Sequence, residues 1–119
     1  MANSPDLKDR TKQFALRILR LYRELPAKGE ARTLGRQVLR SGTSVGANYR
    51  AACRARSKAE FIAKLGIVLE EADETVFWLE LLLESGIVEH ERLEALLDEA
   101  QQLTSIFVAS ICTAKGIAS

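Results

Sequence analysis

The sequence predicts an all-α fold, an antiparallel up-down-up-down four-helix bundle made by one domain over residues 1–119. Three observations predict it. Apolar residues recur with a 3.6-residue period in four long segments. Leu, Ala, Glu and Arg dominate, and only 2 prolines occur, Pro5 and Pro26, a composition that favours helix. The segments are joined by short linkers, which favour antiparallel neighbours. A chain of 119 residues buries roughly two thirds of its unfolded surface, enough for an independent core. Its 47% apolar and 28% charged content is that of a soluble globular protein.

The first helix runs from about Asp6 to Leu25. Phe14, Ile18, Leu21 and Leu25 form its apolar stripe, widened by Ala15, Leu19 and Tyr22. Pro26 and Gly29 close it, because proline cannot continue a helix and glycine tolerates turn conformations. The second runs from about Ala31 to Ala55, with Leu34, Val38, Val45, Tyr49 and Ala52 inward. Gly35, Gly42 and Gly46 in or near this stripe each cost roughly 1 kcal/mol of helix propensity relative to alanine. Close approach of another helix would offset that cost. A break near Ser41–Ser44 is the alternative.

The third helix runs from about Lys58 to Ser85. Ser57 and Glu60 form a capping box at its start, in which each side chain satisfies the other's backbone N–H, and Gly86 stops it. Phe61, Ile62, Leu65, Val68, Leu69, Ala72, Val76, Leu79 and Leu83 form its stripe. Ile67, Trp78, Leu81 and Leu82 project roughly opposite. A helix apolar on a second face is deeply buried or meets another subunit, so these four are the candidate interface of a homo-oligomer. Scattered exposed apolar residues, normal for monomers, are the plainer reading. The fourth helix runs from about Glu89 to Ala114, with Leu93, Leu96, Leu97, Ala100, Leu103, Phe107 and Ile111 inward.

Charge is segregated along the chain. Residues 1–56 carry 13 Lys/Arg against 4 acids, a net of +9, and residues 57–119 carry 4 against 12, a net of −8. The whole-chain charge of +1 hides this polarity. A basic half of this kind meets a polyanion, or it meets the acidic half of its own chain or of a neighbouring copy.

The sharpest candidate site lies in the second helix. Arg32, Arg36 and Arg40 recur every four residues, and Arg50 and Arg54 resume the spacing. At 100° per residue all five fall in a sector of roughly 80°, away from Leu34 and Val38. A straight helix aligns them over roughly 33 Å. Guanidinium groups bind phosphate bidentately and stay charged at every relevant pH, so such a row can follow an RNA or DNA backbone. Arg10, Arg17, Arg20 and Arg23 of the first helix add to it, Arg17 and Arg20 being grouped with the site. The competing reading is a solvated face, or salt bridges to Glu70, Glu71, Glu74 and Glu84. No exposed aromatics interleave with the arginines, so binding is expected to be led by the backbone and to depend strongly on salt.

Signals for catalysis, metal or membrane are weak. His90, between Glu89 and Glu91, reads as an exposed residue at a helix start, and no further ligands stand at metal-binding spacing. The carboxylates at Glu70, Glu71, Asp73 and Glu74 lack the ExxH partner usual in di-metal bundles. Ser41–Gly46 is small and polar but has no GK[ST] phosphate loop. No enzyme activity and no cofactor are expected. Cys53 and Cys112 stand apart without CxxC spacing and read as small buried apolar residues. The start, MANSPDLKDR, has no apolar signal region. No run approaches the roughly 20 apolar residues of a membrane span, so a cytoplasmic protein with no membrane partner is expected.

The stretch from Leu39 to Ala52, LRSGTSVGANYRAA, resembles the signature of a bacterial four-helix-bundle family first noticed in proteins encoded by intervening sequences of large-subunit ribosomal RNA genes. The likeness continues through Ser57–Leu65 and Glu70–Thr75 to Trp78–Leu82. The resemblance implies an antiparallel four-helix bundle that assembles into a ring-shaped homopentamer, with no established enzyme activity. A related branch is the accessory protein of diversity-generating retroelements, whose basic surface is thought to engage nucleic acid beside a reverse transcriptase. Carried over by position, Arg40 and Arg50 flank the signature. The family pattern often has an acid and a glycine where Ala51 and Ala52 stand here.

Overall fold

Residues 5–116 are described by a computed structural model. The first four residues, part of the stretch read above for a secretion signal, lie outside the described residues. Four helices follow one another: α1 (Pro5–Glu24), α2 (Gly29–Cys53), α3 (Lys58–Ser85) and α4 (His90–Lys115). No strand occurs among the described residues.

Each helix turns inward a seam of residues spaced alternately three and four apart. In α1 it is Thr11, Phe14, Ile18 and Leu21, followed by Leu25 just past the helix end. In α3 it is Leu65, Val68, Ala72, Thr75, Leu79 and Leu82. In α4 it is Leu93, Leu96, Ala100, Leu103 and Phe107. A mean step of 3.5 residues keeps one narrow face of a helix against its partners. The molecule measures 44 × 24 × 20 Å. Twenty-eight residues of α3 rise about 42 Å, so the helices lie along the long axis.

The α1/α2 contact explains the glycines of α2. A Cβ at Gly42 would stand 2.7 Å from Ile18 Cγ1, one at Gly35 2.9 Å from Leu25 Cδ1, and one at Gly46 3.3 Å from the Thr11 carbonyl oxygen. Contacts that rise in α2 as they fall in α1 mean that these two helices run in opposite directions. The lost helix propensity is offset by close packing against α1, and α2 continues unbroken through Ser41–Ser44.

Between α2 and α3 the core carries a buried hydroxyl pair. Ser41 donates to the Gln37 carbonyl at 2.9 Å, and the Thr75 hydroxyl reaches Ser41 Oγ at 2.9 Å. Both residues are fully buried. This pair turns α3 by about half a residue step from the stripe expected from its apolar residues. Leu82 therefore belongs to the core, fully buried, and not to an outer face. Leu83 and Val76 take flanking, half-buried positions.

The helix ends follow local chemistry. Ser57 caps α3 by accepting from the Glu60 N–H at 3.0 Å. Glu60 accepts from the Arg56 N–H at 2.8 Å, one residue before the reciprocal position that a capping box predicts. Gly86 and Gly116 end α3 and α4 at φ 78° and 74°, the left-handed region glycine adopts without a Cβ penalty. Cys53 is exposed and Cys112 half-buried, both free thiols. Neither is the buried apolar residue expected, because each stands in the last turn of its helix, where fewer neighbours surround it.

Candidate nucleic-acid interface

The outer face of α2 carries four of the predicted arginines, and the fifth, Arg54, stands at its C-cap. Arg32, Arg36, Arg40, Arg50 and Arg54 are all exposed, because the seam Ala31, Gly35, Val38, Gly42, Val45, Tyr49 and Ala52 occupies the opposite side. Their surroundings differ. Arg32 donates to the Ala27 carbonyl at 3.3 Å in the α1–α2 link. Arg36, Arg50 and Arg54 have no carboxylate within 4.0 Å among the described residues. Arg40 is taken: its Nη1 donates to Glu71 at 3.3 Å and its Nη2 to Glu74. The five-residue row is thus four accessible guanidinium groups with a clasped one among them. Helical phase turns Arg40 toward α3 and Arg32, Arg36 and Arg50 toward α1.

The contribution of α1 differs from the expected one. Arg10 forms a bidentate pair with Glu99 of α4, Nε to Oε2 at 2.7 Å and Nη2 to Oε1 at 2.9 Å, and also donates to Gln102. The hydrogen bond to Glu99 raises the Arg10 pKa above its ordinary value. Glu24 of α1 pairs with Arg92 of α4. Arg17 stands seven residues from both Arg10 and Glu24, so it lies on the same α4-facing flank and is half-buried. Arg17 therefore does not join the α2 ridge. Arg20 is exposed and leans to that side as well. Residues nearer α2 by helical phase are Lys8, Lys12 and Arg23. Reading α1 alone by charge hides this, because which flank meets α2 is set by Tyr22 against Gly35 and Ile18 against Gly42.

The second candidate surface is on α3. Ile67 is 44% exposed and Leu81 36%, but Phe77 at 51% exceeds both. Trp78 is half-buried against the core, edge-on to Phe77 with centroids 5.0 Å apart. Its indole N–H donates to Glu74 at 2.9 Å. The outer patch is therefore Phe77 with Leu81 and the edge of Trp78. Phe77 was legible as an aromatic four residues before Leu81, but the apolar density of α3 obscured which aromatic points out.

No helix is long and apolar enough to cross a membrane among the described residues. No group of three or more His, Cys, Asp or Glu is placed to hold a metal there. His90 pairs with Glu94 at 2.9 Å.

Fold and surface together define a small all-α, four-helix protein with a cationic outer helix and an acidic, partly apolar neighbour. The chain belongs to the 23S rRNA-intervening sequence protein family, which matches residues 5–109. It is similar to a crystal structure of a protein with unknown function from the S23 ribosomal protein family of Bacteroides thetaiotaomicron. The two share 40% identity at a TM-score of 0.79, over 87% of this chain and 96% of that one. No curated protein matches the chain.

Proposed function

We propose that the protein is a non-enzymatic, self-associating four-helix module that binds RNA or DNA backbone through the outer face of α2 and the adjoining side of α1. One observation carries the reading: Arg32, Arg36, Arg50 and Arg54 share an exposed ridge, with no carboxylate within 4.0 Å among the described residues. Unneutralised guanidinium groups in a row favour a ligand with regularly spaced negative charge. A family described by an intervening sequence of 23S rRNA is in keeping with an RNA ligand. Self-association uses the α3 patch around Phe77 and Leu81, and a ring-shaped homopentamer is the assembly implied by the family resemblance.

The test is binding to a structured RNA hairpin across a salt series, for the wild type and Arg36→Glu/Arg50→Glu. The wild type should lose affinity linearly on a log–log plot. The variant should bind at least about tenfold more weakly, with a slope smaller by about two. Equal affinity in both proteins rules the ridge out.

A second reading is favoured by the ion pairs Arg10–Glu99 and Arg40–Glu71. In it the basic half is neutralised by acids, and the exposed Glu70, Asp73 and Glu84 of a neighbouring copy cover the remaining arginines. High salt then loosens the assembly, and a light-scattering mass unchanged between low and high salt counts against it.

A further inference from the structure

Among the described residues, Arg40 is the one member of the ridge held by carboxylates. We infer that Glu71 and Glu74 are a built-in competitor for the ridge: they occupy Arg40 in the free protein and yield it when a nucleic-acid phosphate arrives. This rests on the backbone-binding reading above and concerns its regulation.

A carboxylate offers a guanidinium the same planar pair of oxygens that a phosphate does. Glu71 and Glu74 therefore compete for Arg40 with the ligand of the ridge. The position of Arg40 makes the competition matter. It stands between Arg36 and Arg50, so its release shortens the longest gap in the row. The Arg40 side chain is 48% exposed, within reach of a ligand without any movement of the helices.

The clasp is not a chance meeting of long side chains. The buried Ser41–Thr75 pair joins the residues next in sequence to Arg40 and Glu74. Thr75 also reaches the Glu71 carbonyl at 2.7 Å. The Ser41–Thr75 bond joins α2 to α3 and sets the register that faces Arg40 toward Glu71 and Glu74. Gln37 accepts from Arg40 Nε at 3.2 Å and from Nη2 at 3.1 Å. The Trp78 indole N–H donates to Oε2 of Glu74, the same oxygen that accepts from Arg40. Even so, each ion pair is exposed enough to be exchanged. Exposed pairs of this kind correspond to factors of up to about fivefold each, which is tuning and not blockade. The carboxylates act twice, by holding Arg40 and by repelling an approaching phosphate.

The experiment is anisotropy titration of a labelled RNA hairpin with the wild type, Glu71→Gln/Glu74→Gln and Glu70→Gln/Glu84→Gln. Each is made with and without Arg40→Ala. Glu70→Gln/Glu84→Gln removes the same charge from exposed positions that do not touch Arg40, and circular dichroism confirms that every variant is folded. The expected result is that Glu71→Gln/Glu74→Gln binds about threefold to tenfold tighter than the wild type. It should also exceed the Glu70→Gln/Glu84→Gln control, and with Arg40→Ala its gain should fall to the control's. A gain no larger than the control's, or one still larger than the control's without Arg40, overturns the competitor. If it is overturned while Arg36→Glu/Arg50→Glu still weakens binding, the ridge stands alone. If the wild type and all variants fail to bind RNA, both ridge and competitor fall.

Discussion

Gly42 and Gly66 are both interior glycines of long helices, and their surroundings are opposite. A Cβ on Gly42 would meet Ile18 at Cγ1, Cγ2 and Cδ1, between 2.7 and 3.1 Å. Ile18 is fully buried, and its β-branched side chain has little rotamer freedom. A Cβ on Gly66 would meet nothing within 4 Å. Gly42→Ala should therefore lose about 2–3 kcal/mol to overpacking, the upper part of the usual range because Ile18 cannot move aside, which exceeds the roughly 1 kcal/mol gained in helix propensity. Gly66→Ala should gain about 0.5–1 kcal/mol. Urea midpoints of the two variants check both signs, and a stabilised Gly42→Ala would contradict the close α1/α2 approach. The excess of glycine in α2 was legible from sequence as a cost needing compensation. Which glycines meet a neighbour was not, because that depends on the facing side chain.

Helix pairs are decided by such facing groups. Tyr49 of α2 lies in the core against Phe107 of α4, ring centroids 5.6 Å apart. Burial, and then the neighbouring Cys53, push the Tyr49 phenol well above the ordinary tyrosine pKa of 10.0. The fold favours the neutral form, while an unfolded chain ionises Tyr49 near its usual value. This contribution to stability is complete below about pH 10 and is lost as pH rises beyond it. Denaturant midpoints measured from pH 8 to 11 should fall at the alkaline end, by up to about 1.4 kcal/mol per pH unit from this group. Tyr49→Phe should flatten that loss, and an unchanged slope in the variant would remove Tyr49 as its source. The same facing logic explains the misplaced face of α3. Leu82 and Thr75 point inward because Ser41 offers Thr75 a buried partner, information that no stripe within α3 contains. Arg17 is a parallel case, since its flank is identified only by Arg10 and Glu24 meeting α4.

At the scale of the molecule, α1 meets α4 more sparingly than the consecutive helices meet one another, and ion pairs to Glu99 and from Glu24 bridge that seam. Among the described residues, the exposed apolar residues of α3 lie on a side that no other helix covers. If Ile67 and Phe77 are buried between copies, Ile67→Glu/Phe77→Glu should reduce the light-scattering mass to that of one 13.2 kDa chain. A multiple of that mass persisting in the variant would place self-association elsewhere. Four helices, their approximate ends, the capping serine at Ser57 and the outward row from Arg32 to Arg54 were determined by the sequence alone. Periodicity, capping and turn chemistry act over a few neighbouring residues and are written in local order. Only the tertiary structure decided that Arg40 is clasped, that Arg17 turns to α4, that Leu82 is core and that Phe77 is outermost. Each of these depends on the rotation of one helix against another, which is settled by which side chains fit and which polar atoms find partners across the gap.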